Sequence, residues 1–257
     1  MIYCISDIHG AYEPFMRLMN AIKFDKNKDT LYALGDYIDF SEGGVNTIKY
    51  LMELENTGRC IPLIGNHELM FLSCIEHNKD KKPMTEDEAW ENNNYVWLTK
   101  NSGLVTWNHF CEETDSWQDK IYSWMKRLRY RINVTSGGKH FVLCHAYPMP
   151  SVPSADPNFE AWRYSAVWKR DTVYTKVHNL VNDDDIVIHG HTIEAFEKDG
   201  HWSILKEPQG YNIDCGAKTF VSFKDDGTPK HPEARLAALR LDDMAEFYVG
   251  KDAPPEK

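Results

Sequence analysis

The sequence predicts an α/β fold, and three observations lead to this class. Short apolar runs at residues 2–6, 31–34 and 60–64 are each followed by a polar loop and then by apolar residues at helical spacing. Short apolar runs bounded by glycine are typical of buried strands, and their alternation with helices is typical of α/β proteins. The second half of the chain is richer in strand-like segments, and polar residues stand at the ends of several predicted strands.

The first unit places two polar side chains after its strand. The apolar run Ile2–Ser6 ends on the tetrapeptide DIHG at 7–10. Side chains alternate along an extended segment, so Asp7 and His9 point the same way. A carboxylate and an imidazole on one side are half of a metal site, although an Asx-turn after a strand fits the same residues. The apolar stripe of the following helix, Phe15–Ile22, belongs to the core.

The second unit carries two acidic residues after its strand. The run Leu31–Leu34 stops at Gly35 and delivers Asp36 and Asp39 to one place. Functional groups of α/β folds collect at the carboxyl ends of the strands. We therefore take Asp36 as the carboxylate around which the other groups are placed.

The third unit repeats this arrangement with an amide and an imidazole. The run Cys60–Ile64 ends on GNHE at 65–68, which contains Asn66 and His67. The carboxyl ends of neighbouring parallel strands meet at one edge of a sheet. Three successive loops with metal-binding residue types at that edge are hard to explain by packing alone.

The segment Glu76–Arg129 differs in character, because it is rich in charge, asparagine and tryptophan. We predict helices around Glu86–Leu98 and Trp117–Leu128 within it. Its tryptophans form either a cap that faces the substrate or the small core of a helical insert, and we favour the core. They are Trp90, Trp97, Trp107, Trp117 and Trp124.

The second half is predicted to contain most of the remaining strands. Arg129–Val134 and Phe141–Cys144 flank a Ser-Gly-Gly-Lys turn at 136–139 and are typical of a hairpin, whose second strand ends on His145. After a further helix, Arg170 stands in a polar context. The other predicted strands are Ile186–Ile188 (followed by His189 and His191), Tyr211–Gly216, Leu236–Leu241 and Ala245–Val249.

Composition and charge restrict the classes of protein and partner. At 257 residues the chain is long enough for one large domain or two small ones, and its 42% hydrophobic content is ordinary for a globular core. The formal net charge of −10 argues against a nucleic-acid binder, since no basic stretch offsets it. A phosphate substrate is compatible with this charge, because bound cations reverse the field locally.

Signals for export or membrane insertion are not found in the sequence. The N-terminus has neither the basic region nor the long apolar region of a signal peptide, and no apolar run approaches the ~20 residues of a membrane span. The six cysteines lack CxxC spacing, which favours buried free thiols in a reducing compartment. We therefore expect a cytoplasmic protein without a membrane partner.

Together the predicted strand ends supply a mixed set of metal ligands, which are Asp7, His9, Asp36, Asn66, His145 and His191. Carboxylates, imidazoles and an amide suit divalent manganese, iron or zinc better than calcium or magnesium. A central carboxylate can bridge two ions ~3.5–4 Å apart, which clamp a phosphoryl group and generate hydroxide from water. His67 is then the candidate proton donor to the leaving oxygen, with Asp39 to hold its ring.

These motifs, in this order, resemble those of the calcineurin-like metallophosphoesterases. The resemblance is carried by DIHG at 7–10, GDYID at 35–39, GNHE at 65–68, a strand ending at His145, and GHT at 190–192. WKRD at 168–171 and NIDCG at 212–216 are similar to the phosphoprotein phosphatase branch, in particular its bacterial and phage members and the symmetrical dinucleoside tetraphosphatases. Each motif is weak alone, whereas the ordered set is specific.

The resemblance implies a fold and two metal sites. The family fold is a two-sheet β-sandwich flanked by helices (α/β, or α+β by some schemes), here with a helical insert at about 76–130. The implied cofactors are two divalent metal ions, with manganese first and iron or zinc as alternatives. The implied ligands of the first ion are Asp7, His9 and Asp36, and those of the second are Asp36, Asn66, His145 and His191.

The resemblance also implies catalytic and phosphate-binding roles. His67 would be the general acid, paired with Asp39, and Arg170 would contact the phosphate. Asp214, at a predicted strand end, is a candidate to orient a ligand by hydrogen bonding. His189 is either a similar supporting residue or a packed strand-end residue, and we favour packing.

One position departs from the family pattern. The family usually continues GDxxD with Arg-Gly, whose arginine grips phosphate oxygens, but Phe40-Ser41 stands here. Either Arg170 acts alone, or Arg163 or Lys169 takes the vacant place, or substrate binding is weakened or altered. The Phe40 ring either packs against its neighbours, which we favour, or stacks on a ring of the substrate.

We expect a single domain at residues 1–250 and a disordered tail at 251–257. The leading expectation for function is hydrolysis of phosphomonoesters in proteins, on serine or threonine and also on tyrosine. Hydrolysis of dinucleoside polyphosphates is the close alternative. A metal-binding regulatory module that has lost turnover is an alternative of another class, and the missing arginine is its only support.

Overall fold

Two five-stranded β-sheets form the centre of the computed structural model. The structure describes residues 1–150, 155–170, 180–193, 201–224 and 226–250, so the predicted tail at 251–257 lies outside the described residues. The two sheets pack against each other, and helices flank them. The predicted two-sheet sandwich flanked by helices is therefore confirmed.

The first sheet combines three parallel strands with an antiparallel pair. Its strands are β1 (Ile2–Ile5), β2 (Thr30–Ala33), β3 (Cys60–Pro62), β9 (Leu236–Arg240) and β10 (Ala245–Val249). Their order across the sheet is β10-β9-β1-β2-β3, with β1, β2 and β3 parallel. The carboxyl ends of these three strands consequently lie at one edge.

The second sheet has the same mixed character. Its strands are β4 (Arg131–Ser136), β5 (Lys139–Cys144), β6 (Ile186–His189), β7 (Leu205–Glu207) and β8 (Gly210–Asn212), in the order β4-β5-β6-β8-β7. β5, β6 and β8 are parallel, and the outer strands are antiparallel to them. The hairpin turn between β4 and β5 uses Gly137 and Gly138, both with positive φ, as a two-residue turn of this hand requires.

The core lies in layers that follow the alternation of side chains along the strands. Cys4 on β1 and Leu143 on β5 both point into the layer between the sheets. Their neighbours Ile5 and Val142 point to the opposite, outer faces. The central strands β1 and β5 are therefore buried on both sides over most of their length, which accounts for their apolar runs.

Most helices cover the outer face of the first sheet. They are α1 (Tyr12–Ala21), α2 (Gly44–Asn56), α3 (Asn66–His77), α4 (Glu86–Glu91), a π-helical turn (Val96–Lys100), α5 (Gly103–Glu112) and α6 (Asp115–Lys126), followed later by α7 (Phe159–Trp168) and α8 (Ala217–Val221). The predicted apolar stripe of α1 is buried through Phe15, Leu18 and Met19. In the described part of the chain, no helix has the length and apolar character of a membrane span.

The tryptophans of the Glu76–Arg129 segment extend the main core. Trp97, Trp107 and Trp124 are buried in the same cluster as the helix-facing side of the first sheet. Trp90 is 50% exposed. The three buried rings thus join α5 and α6 to the sheet instead of forming a small core of their own.

The elements that were not predicted from the sequence include α5 and β7. The helix α5 follows Ser102, whose backbone is left-handed and whose side chain makes no capping hydrogen bond. The strand β7 has three residues and pairs only with β8 at the edge of the sheet. Neither carries the capping or periodic pattern by which short elements can be identified.

The buried Tyr37 hydroxyl ties the loop after β2 to both strands beside it. Its oxygen lies 2.5 Å from Leu63 O and 2.8 Å from Ala33 O, and it accepts from Gly35 N at 3.1 Å. We expect Tyr37→Phe to lower the free energy of unfolding by about 1–3 kcal/mol, because buried backbone groups lose their partner. Urea unfolding measures this change.

Tyr32→Phe is the matched control for this prediction. Tyr32 lies on β2 and is buried, as Tyr37 is, but its hydroxyl makes no hydrogen bond among the described residues. Its loss is expected to change stability less than the loss of the Tyr37 hydroxyl. Equal unfolding midpoints for the two variants would contradict a stabilising role of the Tyr37 hydroxyl.

Candidate metal centre

The candidate site lies where the carboxyl ends of strands from both sheets meet. The loops after β1, β2 and β3 approach those after β5 and β6, since His145 Nδ1 lies 2.9 Å from Leu34 O. The structure brings all six predicted metal ligands together here, buried from solvent; they are Asp7, His9, Asp36, Asn66, His145 and His191. Both sheets therefore contribute to one cluster.

Asp36 lies between two groups of donor atoms. Its Oδ2 is 3.7 Å from His9 Nε2, and its Oδ1 is 3.4 Å from His145 Nε2. On the first side, His9 Nε2 also lies 3.7 Å from Asp7 Oδ1. On the second side, His145 Nε2 lies 3.1 Å from Asn66 Oδ1. One carboxylate thus faces two donor groups, one with each oxygen.

The residues of the cluster fit bound cations. Ligand atoms of Asp36, His145 and His191 all lie within 4.8 Å of one another. Asp7 Oδ1 and His191 Nε2 are buried and have no hydrogen-bond partner in the described structure. An unpartnered buried polar atom costs free energy, which coordination of a cation removes. The mixed oxygen and nitrogen donors suit a divalent transition metal.

The electrostatics of the cluster keep two imidazoles in the state that binds metal. Burial lowers the pKa of His9 well below its ordinary value, and the charges of His67 and Lys218 lower it further. Burial also lowers the pKa of His191, with a further contribution from the neighbouring His145. Both rings are therefore neutral at neutral pH, as metal coordination by imidazole requires.

Backbone carbonyls orient two of the histidines. His9 Nδ1 lies 3.2 Å from Ile38 O, and His145 Nδ1 lies 2.9 Å from Leu34 O. A carbonyl can only accept, so each Nδ1 carries the proton and donates it. The Nε2 atom of each ring is then left with a lone pair that faces Asp36.

The loops of the cluster hold several residues in a left-handed backbone. The φ angle is 54° at Asp7, 47° at His9, 56° at Asp36 and 72° at His191. Side-chain-bearing residues in this region cost on the order of 1–3 kcal/mol when they are strained, and such residues concentrate at functional sites. The backbone of these loops is thus held in an unfavourable conformation that brings the four side chains together.

Glu68 fixes the relative position of two loops, and its role was not predicted. Its Oε2 accepts from the backbone N–H of Asp36 and of Gly65, both at 2.9 Å, and its Oε1 accepts from Tyr37 N at 2.8 Å. Burial, together with the charge of Asp36, raises the pKa of Glu68 to about 7. The signal in the sequence was a glutamate at the third position of a helix, as in a capping box.

The predicted pairing of His67 with Asp39 is present in the geometry. His67 Nδ1 lies 2.6 Å from Asp39 Oδ2, and both side chains are buried. Burial opposes protonation, but the charges of Asp36 and Asp39 raise the pKa of His67 to about 9. His67 Nε2 points back toward the cluster, 3.8 Å from Asp36 Oδ2.

Asp39 is held by two residues from the helical segment, which were also not predicted. Trp97 Nε1 donates to Asp39 Oδ2 at 2.6 Å, and Asp39 N lies 2.9 Å from Thr106 Oγ1. A substituent on Gly103 would collide with the Trp97 ring, so the ring is closely packed. No local pattern links residues 97 and 106 to residue 39, and only the tertiary structure identifies them.

The candidate phosphate-binding cations are unequally placed. Arg170 Nη1 donates to Thr192 Oγ1 at 3.1 Å, which puts Arg170 beside the His191 loop. By contrast, Arg163 pairs with Glu160 on its own helix. Arg170 therefore contacts the loop that carries His191, whereas Arg163 pairs within its own helix.

Lys169, the remaining cation considered for the vacant place, contacts an aromatic ring. Its Nζ lies over the Tyr147 ring, 4.1 Å from the centroid. Phe40 itself lies with its ring edge-on to the His9 ring, at a centroid distance of 5.0 Å. The favoured prediction that Phe40 packs against its neighbours agrees with this contact.

Two further predicted residues differ in their relation to the cluster. Asp214 is buried, and its Oδ1 accepts from Gly216 N at 3.0 Å; burial and the charge of Asp7 raise its pKa to about 8. His189 Nε2 lies 3.0 Å from Glu207 Oε2 in a buried pair. The charge of Asp7 in the cluster thus acts on Asp214. His189, by contrast, packs at the end of its strand.

Comparison with known proteins gives one family match over most of the chain. The family model described as calcineurin-like phosphoesterase matches residues 1–195. The chain is also 37% identical over 81 residues to a symmetrical bis(5'-nucleosyl)-tetraphosphatase of Shewanella sediminis, which covers 32% of this chain and 29% of that protein. A symmetrical bis(5'-nucleosyl)-tetraphosphatase of Vibrio vulnificus is 25% identical over 176 residues, which cover 51% of this chain and 64% of that protein. The matched regions therefore span less than two thirds of these relatives.

Solved structures share the fold at low sequence identity. A metallophosphoesterase from Sphaerobacter thermophilus superposes with a TM-score of 0.51 at 15% identity, over 97% of this chain and 86% of that one. A cold-active protein tyrosine phosphatase gives a TM-score of 0.53 at 15% identity, over 99% of this chain and 77% of that one. Because the family model matches residues 1–195 of a 257-residue chain, the protein belongs to the calcineurin-like phosphoesterase family.

Proposed function

We propose that this protein is a metal-dependent hydrolase of phosphoesters, and that phosphomonoesters are its substrates. The observation that carries the proposal is the position of Asp36, which presents one oxygen to His9 and the other to His145. A carboxylate shared in this way suits a pair of ions. Family membership supports the same chemistry.

The proposed ligands follow the two donor groups. The first ion would be held by Asp7, His9 and Asp36, and the second by Asp36, Asn66, His145 and His191. Two divalent ions, for which we propose manganese ahead of iron or zinc, would supply charge neutralisation of the phosphoryl group and a water of lowered pKa.

His67 is proposed as the proton donor to the leaving oxygen. Its Nδ1 is engaged by Asp39 at 2.6 Å, which leaves the Nε2 proton for donation. The Asp39 carboxylate at Nδ1 stabilises the protonated ring, whereas a metal-bound imidazole must be neutral. This difference favours proton donation over metal binding, although His67 lies within ligand distance of His9 and Asp36.

Two substrate classes are supported by different observations. Phosphoserine, phosphothreonine or phosphotyrosine in proteins is the leading proposal, and the fold is shared with a protein tyrosine phosphatase. Dinucleoside tetraphosphates are the second, because the relatives of this chain carry that name. Hydrolysis of p-nitrophenyl phosphate, a phosphopeptide and diadenosine tetraphosphate by manganese-loaded protein distinguishes them. A regulatory module without turnover would hydrolyse none of the three.

Asp36→Asn tests the shared carboxylate. The change removes charge from both donor groups, so we expect loss of bound metal, measured by elemental analysis, and loss of phosphatase activity. Asp119→Asn is the matched control, since Asp119 is an exposed carboxylate paired with Lys81. Full activity of Asp36→Asn with two bound ions would contradict the bridging role.

His67→Asn tests the proton donor. Metal content is expected to be retained, while kcat falls by about 10²–10⁴-fold for substrates with poor leaving groups and less for good ones. His140→Asn, at an exposed histidine on β5, is the control. The same fall in kcat for every leaving group would argue against proton donation by His67.

Trp97→Phe tests the support of Asp39 by the helical segment. The change keeps an aromatic ring but removes the N–H donated to Asp39, so we expect kcat on poor leaving groups to fall by about 10-fold with metal content unchanged. Trp90→Phe, at a half-exposed ring, serves as the control. A wild-type kcat for Trp97→Phe would show that Asp39 needs no such donor.

A further inference from the structure

The Phe40 ring covers two imidazoles on one side of the cluster. Its centroid lies 5.0 Å from that of His9 and 5.7 Å from that of His67. His9 and His67 are themselves in ring contact, with centroids 4.8 Å apart. Both imidazoles are buried, whereas Phe40 is partly exposed. Phe40 therefore lies at the boundary between this side of the cluster and solvent.

The backbone holds Phe40 in this place in spite of an unfavourable conformation. The φ angle is 76° at Asp39 and 64° at Phe40. Bulky side chains are rare in this left-handed region, and residues held there concentrate at functional sites. The carbonyl oxygen of Ser41 approaches the loop after β1 so closely that a Cβ on Gly10 would lie 2.4 Å from it. The position of Phe40 is therefore fixed by two loops that also carry residues of the cluster.

Phe40 is the aromatic neighbour of the proposed proton donor that is not itself a proposed metal ligand. Among the described residues, the rings in contact with His67 are those of His9 and Phe40. To receive the proton, the leaving oxygen must lie within hydrogen-bond distance of His67 Nε2, about 2.6–3.2 Å. A ring bonded directly to that oxygen is then held beside the His67 imidazole and next to Phe40. A serine or threonine ester brings only an aliphatic carbon to the same place.

Space for the remainder of a leaving group begins beside Phe40. Gly10 and Ser41, the residues that follow His9 and Phe40, line a groove of about 830 Å³. Side chains of α5 also line this groove. Its volume lies in the range of ligand sites in proteins. A leaving group that passes Phe40 therefore reaches a groove with room for the residues next to a phosphotyrosine.

We propose that Phe40 contacts the aromatic ring of an aryl leaving group, and that it makes the site selective for aryl phosphates, the class that includes phosphotyrosine, over alkyl phosphates. The inference rests on the phosphoesterase function and on the role of His67 proposed above. Aromatic rings that meet edge-to-face or offset gain free energy beyond that of their buried area. An alkyl group at the same place makes no such contact, so the gain applies to aryl substrates alone.

Phe40→Leu tests this selectivity, because it keeps an apolar side chain but removes the ring. The measurement is kcat/KM of the manganese-loaded protein on two peptides of one sequence that carry either phosphotyrosine or phosphoserine. The two esters differ in intrinsic reactivity, but this difference cancels when the ratio of their kcat/KM values is compared between variant and wild type. We expect the ratio of phosphotyrosine to phosphoserine to fall by about 3–10-fold in Phe40→Leu, the loss expected for one aromatic contact. In Phe40→Tyr, which keeps a ring, the ratio is expected to stay near that of the wild type.

The matched control is Phe24→Leu, since Phe24 is also a partly exposed phenylalanine but contacts the ring of Tyr3. Its ratio is expected to equal that of the wild type. A wild-type ratio in Phe40→Leu, including an equal loss on both peptides, would overturn the proposal and leave Phe40 with a packing role alone.

Binding of phosphonates gives a second readout that needs no turnover. Calorimetric titration of the manganese-loaded wild type is expected to show tighter binding of benzylphosphonate than of methylphosphonate, and this preference is expected to fall by a similar factor in Phe40→Leu. An equal preference in the two proteins would count against the contact. If the wild type hydrolyses neither peptide nor p-nitrophenyl phosphate, the proposed function fails instead, whereas the phosphonate comparison still decides the role of Phe40.

Discussion

The sharing of one carboxylate between two groups of donors is the constraint on which the rest of this structure depends. Asp36 Oδ2 faces His9 of the first sheet, and Asp36 Oδ1 faces His145 of the second. The two sheets must therefore end at the same edge and at a fixed separation. Their common apolar layer, which includes Cys4 and Leu143, sets that separation. The sandwich is thus the means by which side chains distant in sequence reach one carboxylate.

Bringing these side chains to one edge costs free energy, because charged groups are buried and several residues have a left-handed backbone. Hydrogen bonds from other parts of the fold offset this cost. Glu68 stabilises the loop after β2 by accepting three backbone N–H groups. Asp39 receives the indole N–H of Trp97 and holds the ring of His67. The tryptophan-rich segment joins the main core, so it both covers the sheet and supports the pair of His67 and Asp39 through Trp97.

The residues considered for phosphate binding lie far apart in sequence. The loop after β2 offers Phe40, which packs on His9. Arg170 approaches from the His191 side, where it donates to Thr192. Arg170 thus places a positive charge beside the cluster in a chain whose net charge is −10.

The sequence by itself determined the α/β class, the three strand–loop–helix units of the first half and six residues of metal-binding type. Each of these depends on local patterns, such as an apolar run that ends in glycine and acid at 35 and 36. The pairing of His67 with Asp39 was predicted because a histidine that donates a proton needs a carboxylate to hold its ring. Only the tertiary structure decided that Trp97 and Thr106 hold Asp39, and that Glu68 joins two loops. These contacts join residues with no periodic or motif relation, because packing in three dimensions, and not local sequence, selects them.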